Sequence, residues 1–199
     1  MGTVYSISVL FHNFILELDE KIRGLPDKIP VYMRNLVSSK GKFVVYQKGD
    51  QMRVPGNILQ NPIKYWSANH IAMIGKFIYN DTNKCGIGKN KTKKQKLFKG
   101  ELTGTVISPP IALNYPAIPA RRIPKANIGF LLKLDYNIEG IPKKIAVGVE
   151  FYDYPPEIKV GDKVRVFGKI YYFYLDTWEA EHFGMLASRL YNETTQSGL

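Results

Sequence analysis

From position 98 onward, apolar residues recur with a period of two in short runs broken by Gly and Pro, the pattern of strands with one buried face. Five runs stand out: Glu101 to Ile107 (ELTGTVI), Ile128 to Tyr136 (IGFLLKLDY), Lys143 to Tyr152 (KKIAVGVEFY), Asp162 to Phe173, and Glu179 to Leu190. A long proline-rich connection, Ser108 to Asn127, separates the first two. Asn137-Ile138-Glu139-Gly140 reads as the hairpin turn between the second and third. Asp153 to Gly161 is a short link into the fourth.

The first half is less legible. Val4 to Leu18 is apolar and β-compatible, Lys42 to Val54 predicts a hairpin turning at Gly49-Asp50, and His70 to Tyr79 (HIAMIGKFIY) predicts another strand. Pro26 and Pro30 restrict any helix within Ile22 to Val37 to a turn or two. No clean repeat of the second half is legible in the first, although HIAMIGKFIY faintly echoes VRVFGKIYYF, and a second, degenerate barrel is carried as an alternative. The polar stretch from Asn80 to Lys96 has no hydrophobic periodicity and places the main boundary. The expected organisation is mainly β: a basic β-rich N-terminal region over 1–82, a lysine-rich linker or loop over 83–97, and a β domain over 98–192.

The segment from Ile158 to Phe173 (IKVGDKVRVFGKIYYF), followed by Glu179 to Arg189 (EAEHFGMLASR), resembles the closing strand pair of the OB-fold nucleic-acid-binding superfamily. Gly161-Asp162 suits a tight turn into a strand. Val164 and Val166 should point inward with Arg165 and Phe167 outward, and Gly168 permits the coil a small barrel needs. The resemblance covers about residues 98 to 192 and implies a five-stranded OB-type barrel. Similar strings occur in other small β-barrels. The link from Asp153 to Val160 is too short and proline-rich for the helix many OB domains carry between strands three and four.

Composition adds a direction. With 45% hydrophobic and 23% charged residues the chain should fold. Its formal charge is +11. Residues 1–100 hold 17 Lys and Arg against 6 Asp and Glu, whereas residues 101–199 hold 11 of each, so the whole excess lies in the first half. Such an excess attracts polyanions, nucleic acid above all. No apolar run approaches the roughly 20 residues of a membrane span. The lone Cys85 forms no internal disulfide, and with no clustered histidines it offers no metal site, so an intracellular, cytoplasmic setting is expected.

The OB resemblance implies an oligonucleotide face on strands two and three, flanked by the loops joining strands one to two and four to five. Carried onto this sequence it names Arg121, Arg122 and Lys125 in the first loop. On the sheet it names Lys133, Tyr136, Lys144 and Tyr152, with Arg165 and Lys169 on strand four. Tyr171, Tyr174 and Trp178 lie in the aromatic run YYFYLDTW, which reads equally well as core filling. Lys91, Lys93 and Lys94 supply a basic arm. Enzymatic readings fall away. Gly86 to Thr92 lacks the Gly-Lys-Ser/Thr of a P-loop, and His12, His70 and His182 show no metal-ligand spacing. A carboxylate cluster of Asp135, Glu150 and Asp153 needs a geometry that the sequence does not supply. The expectation is a non-catalytic protein without metal or cofactor that binds single-stranded nucleic acid, DNA ahead of RNA, with a homo-oligomer admitted and no membrane partner. The alternative is a structural or assembly protein that uses the barrel for protein contacts.

Overall fold

The computed structural model describes residues 1–8, 13–33, 36, 41–60, 71–89, 95–114, 126–151 and 157–198. Among them are fifteen strands and no helix. One sheet takes β1 (Gly2–Ser8), β2 (Asn13–Leu18), β3 (Lys28–Met33), β4 (Gln51–Arg53), β5 (Gly56–Gln60), β6 (Ile71–Gly75), β7 (Ile78–Asn80) and β8 (Cys85–Ile87). The other takes β9 (Gln95–Val106), β10 (Ile111–Asn114), β11 (Ala126–Leu134), β12 (Lys144–Phe151), β13 (Lys163–Leu175), β14 (Ala180–Asn192) and β15 (Ser197–Gly198). The five expected runs of the second half are β9, β11, β12, β13 and β14.

These five form a closed ring. β11 pairs antiparallel with β9 and β12, β12 runs parallel to β14, and β13 pairs antiparallel with both β14 and β9. The inward alternation on β13 is as expected: Val164 and Val166 are buried, and Arg165 and Lys169 are exposed. At Gly168 the β13–β14 register shifts, and a Cβ there would lie 2.1 Å from the Leu186 carbonyl oxygen. Only glycine permits that approach. The ring interior holds Leu102, Phe130, Leu132, Val147, Val164, Val166, Ile170 and Met185, each contributing roughly 1.5–3 kcal/mol by burial.

The first half has the same connectivity. β1, β2 and β3 form a meander and β3 runs parallel to β6. Residues 51–60 and 71–80 form one long hairpin, interrupted at Val54-Pro55 and Lys76-Phe77. Its first arm also pairs with β1, closing the ring. The registers coincide. Arg53 faces Tyr79 as Arg165 faces Tyr191, and Val31 faces Met73 as Val147 faces Met185. Two pairs of the β7–β8 turn, Tyr79 with Gly86 and Asn80 with Cys85, recur in the β14–β15 turn as Tyr191 with Gly198 and Asn192 with Ser197.

The structure thereby exposes a sequence repeat that direct inspection missed. Residues 14–31 (FILELDEKIRGLPDKIPV) align with 130–147 (FLLKLDYNIEGIPKKIAV), with ten of eighteen positions identical. Residues 49–54 (GDQMRV) align with 161–166 (GDKVRV), and 66–87 with 178–199, from Trp66 opposite Trp178 to Tyr79-Asn80 opposite Tyr191-Asn192. HIAMIGKFIY therefore matches HFGMLASRLY on β14, not the strand-four sequence it seemed to echo. Three local expectations change with it. Gly49-Asp50 is a tight turn into β4 rather than a hairpin tip, residues 28–33 are strand and not helix, and the described part of the expected His70 to Tyr79 strand, from Ile71 on, splits into β6 and β7. The expected linker also shrinks, since Cys85–Ile87 are strand and β9 begins at Gln95.

Each ring is locked by the same buried carboxylate. The Val4 N–H donates to the Asp50 carbonyl at 2.9 Å and the Gly49 N–H to Val4 at 2.9 Å. In the second ring Val106 with Asp162, and Gly161 with Val106, repeat this at 2.9 and 2.8 Å. Both glycines need positive φ, +90° and +96°. The Asp50 carboxylate accepts the Gln47 N–H at 2.9 Å and the Asn80 side-chain amide at 2.7 Å. Asp162 accepts the Lys159 N–H at 2.8 Å and the Asn192 amide at 2.7 Å. Both asparagines are fully buried and bridge onward, to the Val45 and Glu157 carbonyls. Burial raises the pKa of Asp50, and its hydrogen bonds oppose the rise. Removing the amide takes a hydrogen bond from a buried carboxylate, leaving Asp50 the Gln47 N–H and the Asn83 amide, and Asp162 the Lys159 N–H. Asn80→Ala and Asn192→Ala should each cost roughly 3 kcal/mol in urea unfolding; a loss confined to one of them would show that the two latches are not equivalent.

Candidate nucleic-acid interface

The face that the OB resemblance implies, the outer side of β11 and β12, is closed. Both strands are buried on both sides: Phe130 and Leu132 face the ring interior, while Leu131 and Ala146 join a core shared with the first half. The closing element is the run 41–46, every residue of which is buried. Phe43 comes within 2.9 Å of where a Cβ on Gly184 would stand and 3.6 Å of one on Gly148, so small residues on β12 and β14 admit its ring. The Leu36 N–H donates to the Leu113 carbonyl at 3.2 Å and extends the cover over β10.

The expected site residues scatter accordingly. Trp178 is 8% exposed, and its indole N–H donates to the Ile87 carbonyl at 3.2 Å. Its ring lies 6.2 Å from that of Tyr79, with the Arg53 guanidinium 5.4 Å away. Arg53 also pairs with Asp81 and donates to the Trp178 carbonyl at 2.9 Å. Trp178 is thus a joint between the halves and offers no free face to a base. Tyr171 is buried at 9% exposure, so it too is removed as a stacking residue. Lys144 turns inward to Asn83 at 2.7 Å and, with Tyr174 and Glu181, borders a cleft of about 550 Å³ between the halves. Lys133 and Lys169 are exposed, and the exposed Tyr136 donates its hydroxyl to the Glu101 carbonyl. Arg165 pairs with Glu193 at 2.9 Å. Arg121, Arg122, Lys125, Tyr152, Lys91, Lys93 and Lys94 lie outside the described residues. Of the carboxylates, Asp135 is engaged by the Lys163 ammonium, which lowers its pKa, and Asp153 lies outside the described residues.

Among the described residues, none closes the equivalent face of β1, β2 and β3 in the first ring as the run 41–46 closes that of the second. Where the second ring has Leu131, Ala146 and Gly148, the first has Ile15, Pro30 and Tyr32, all half-buried. Tyr5 is the extra residue of a bulge between Val4 and Ser6 and stands 42% exposed. The Lys28 ammonium lies 3.5 Å from its ring centroid and that of Lys48 lies 5.8 Å away. Glu17 approaches Lys28 at 3.9 Å. The face therefore offers an exposed aromatic ring beside two ammonium groups. Sequence reasoning passed over Tyr5, Lys28 and Lys48 because it placed the site in the half that carries the clearer strands; the charge excess pointed to the other.

A second exposed surface lies on the far side of the second ring. Cross-strand pairs place Arg165 beside Tyr191 and Phe167 beside Arg189, with guanidinium-to-ring distances of 5.1 and 4.4 Å. No protein-family model matches the chain, and no curated protein does.

Two buried groups are structural. Cys85 is fully buried, and burial pushes its thiol up to about 12, far from thiolate chemistry. His182 is fully buried between the rings of Phe43 and Phe173 and accepts the Gly86 N–H at Nδ1. Burial lowers its pKa from 6.5 to about 3. Its depressed folded value makes the unfolded state the better proton binder between those limits, so stability is full above pH 6.5 and falls as the pH drops. The loss at pH 4 should be on the order of 3 kcal/mol. His182→Gln should flatten the stability profile between pH 6.5 and pH 4 in chemical unfolding; an unchanged slope would assign the acid sensitivity elsewhere.

Proposed function

We propose that this chain is a tandem pair of OB-type barrels that binds single-stranded nucleic acid, DNA ahead of RNA, without catalysing a reaction. The ring order, strands one-two-three-five-four and back to one in both halves, supports the OB-type reading. The observation that carries the functional reading is the open face of β1, β2 and β3. It is the surface OB domains use for oligonucleotides, it is sealed in the second ring, and in the first it holds Tyr5 with the Lys28 and Lys48 ammonium groups beside its ring. This ring, residues 1–87, also holds 11 Lys and Arg against 6 Asp and Glu.

The division of labour follows from the chemistry. Ammonium groups neutralise phosphates and release counterions, so affinity falls as salt rises. The tyrosine ring stacks a base at roughly 1–3 kcal/mol, without regard to its identity. Tyr5→Ala should weaken binding of a labelled single-stranded oligonucleotide about tenfold in fluorescence anisotropy. Lys28→Ala and Lys48→Ala should each reduce the slope of log affinity against log salt by about one. Arg165→Ala, on the opposite surface, should leave affinity nearly unchanged. Affinity insensitive to salt, or indifferent to all three face substitutions, would refute the assignment.

A further inference from the structure

The two halves share a fold but not a fate at one position. In the first ring, Arg53 and Tyr79 form a seat: the guanidinium lies 5.1 Å from the tyrosine ring and is held by Asp81 at 2.8 Å. Trp178, from the β13–β14 turn of the second ring, fills it, and Tyr79 is fully buried as a result. The second ring carries the same seat. Arg165 lies 5.1 Å from the Tyr191 ring and is held by Glu193 at 2.9 Å. Here no described residue fills it, and Tyr191 is 38% exposed beside a cleft of about 420 Å³.

The chain also carries a second plug in its sequence. Trp66-Ser67-Ala68-Asn69-His70 stands 112 positions before Trp178-Glu179-Ala180-Glu181-His182, at the same offset that aligns 71–87 with 183–199. Each molecule therefore has one used seat and plug, one open seat, and a second plug sequence. We propose that copies of this chain associate head to tail, the Trp66 segment of one copy filling the Arg165–Tyr191 seat of the next. Such a contact, repeated head to tail, is heterologous and extends into a chain or a ring; exchanged reciprocally between two copies it closes as a dimer. A protein partner is favoured over a nucleobase because the occupant seen on the equivalent seat is a tryptophan of this fold, fixed by a backbone carbonyl at its indole N–H.

The inference is independent of the nucleic-acid reading and is tested without nucleic acid. Static light scattering after size exclusion should show the wild-type mass rising with concentration. Trp66→Ala and Tyr191→Ala should each hold the protein at monomer mass. Mixed together, the two variants retain one working plug and one working seat between them, and should form a one-to-one dimer that grows no further. That result also excludes misfolding as the cause of the single-variant losses. A wild-type protein monomeric up to about 1 mM, or two variants that fail to pair when mixed, would overturn the proposal. If the wild type is monomeric and Tyr191→Ala instead weakens oligonucleotide binding, the seat belongs to a nucleobase.

Discussion

A carboxylate buried at the entrance to strand four holds each ring closed, and the rest of the architecture hangs on it. A five-stranded ring demands that its first strand be paired on both edges, although the fourth strand arrives from a loop. Asp50 and Asp162 resolve this by turning the chain on a positive-φ glycine, receiving a backbone N–H of the turn, and gripping the asparagine that ends strand five. The asparagine then orders the next turn, through Asn83 in the first ring and Thr194 and Thr195 in the second. Since an unpaired buried carboxylate is costly, each member requires the others. Gly-Asp and Tyr-Asn are accordingly the same in both halves, alongside core pairs such as Phe14 and Phe130, Leu16 and Leu132, and Val31 and Val147.

Given two rings of one design, their different surfaces come from a few side chains. Ala146, Gly148 and Gly184 leave room on the second ring for Phe43, whose ring packs edge-on against His182. The corresponding Pro30, Tyr32 and Ala72 present no such hollow. The run that supplies Phe43 lies between strands three and four of the first ring, where OB domains often carry a helix. Here it is an extended, wholly buried strap, satisfied by hydrogen bonds such as Val44 to Leu36 and Asn80 to Val45. One ring thereby gives up its outer face to hold the pair together, and the other keeps its face.

The second ring was readable because its strands alternate cleanly, and Val164, Arg165 and Val166 point where a period of two requires. The first ring was not, for two physical reasons. Its strand four is cut by Pro55, which has no N–H for a ladder, and strand five is cut at Lys76-Phe77, so neither offers a long alternating run. The repeat was hidden because its spacing changes: Val4 and Val106 stand 102 apart, Phe14 and Phe130 stand 116 apart, and Asp50 and Asp162 stand 112 apart. No single offset aligns the halves. Trp178 was legible as an aromatic at a loop, yet what buries it, Arg53 and Tyr79, lies about a hundred residues earlier and carries no local signal.

The charge asymmetry between the halves then has a structural meaning beyond attraction to polyanions. Covering a sheet face removes it from water, and an unpaired ammonium there would cost several kcal/mol. The ring whose face is sealed therefore places leucine, alanine and glycine on it. Lys133 stays exposed near its edge, and Lys144, the exception, turns to the Asn83 side chain. The ring whose face is open carries no such constraint and sets Lys28 and Lys48 around an exposed Tyr5. Charge follows this division only in part: residues 1–87, the first ring, carry 11 Lys and Arg against 6 Asp and Glu, while the other six lysines of residues 1–100 run from Lys89 to Lys99, in the linker and on β9 of the second ring.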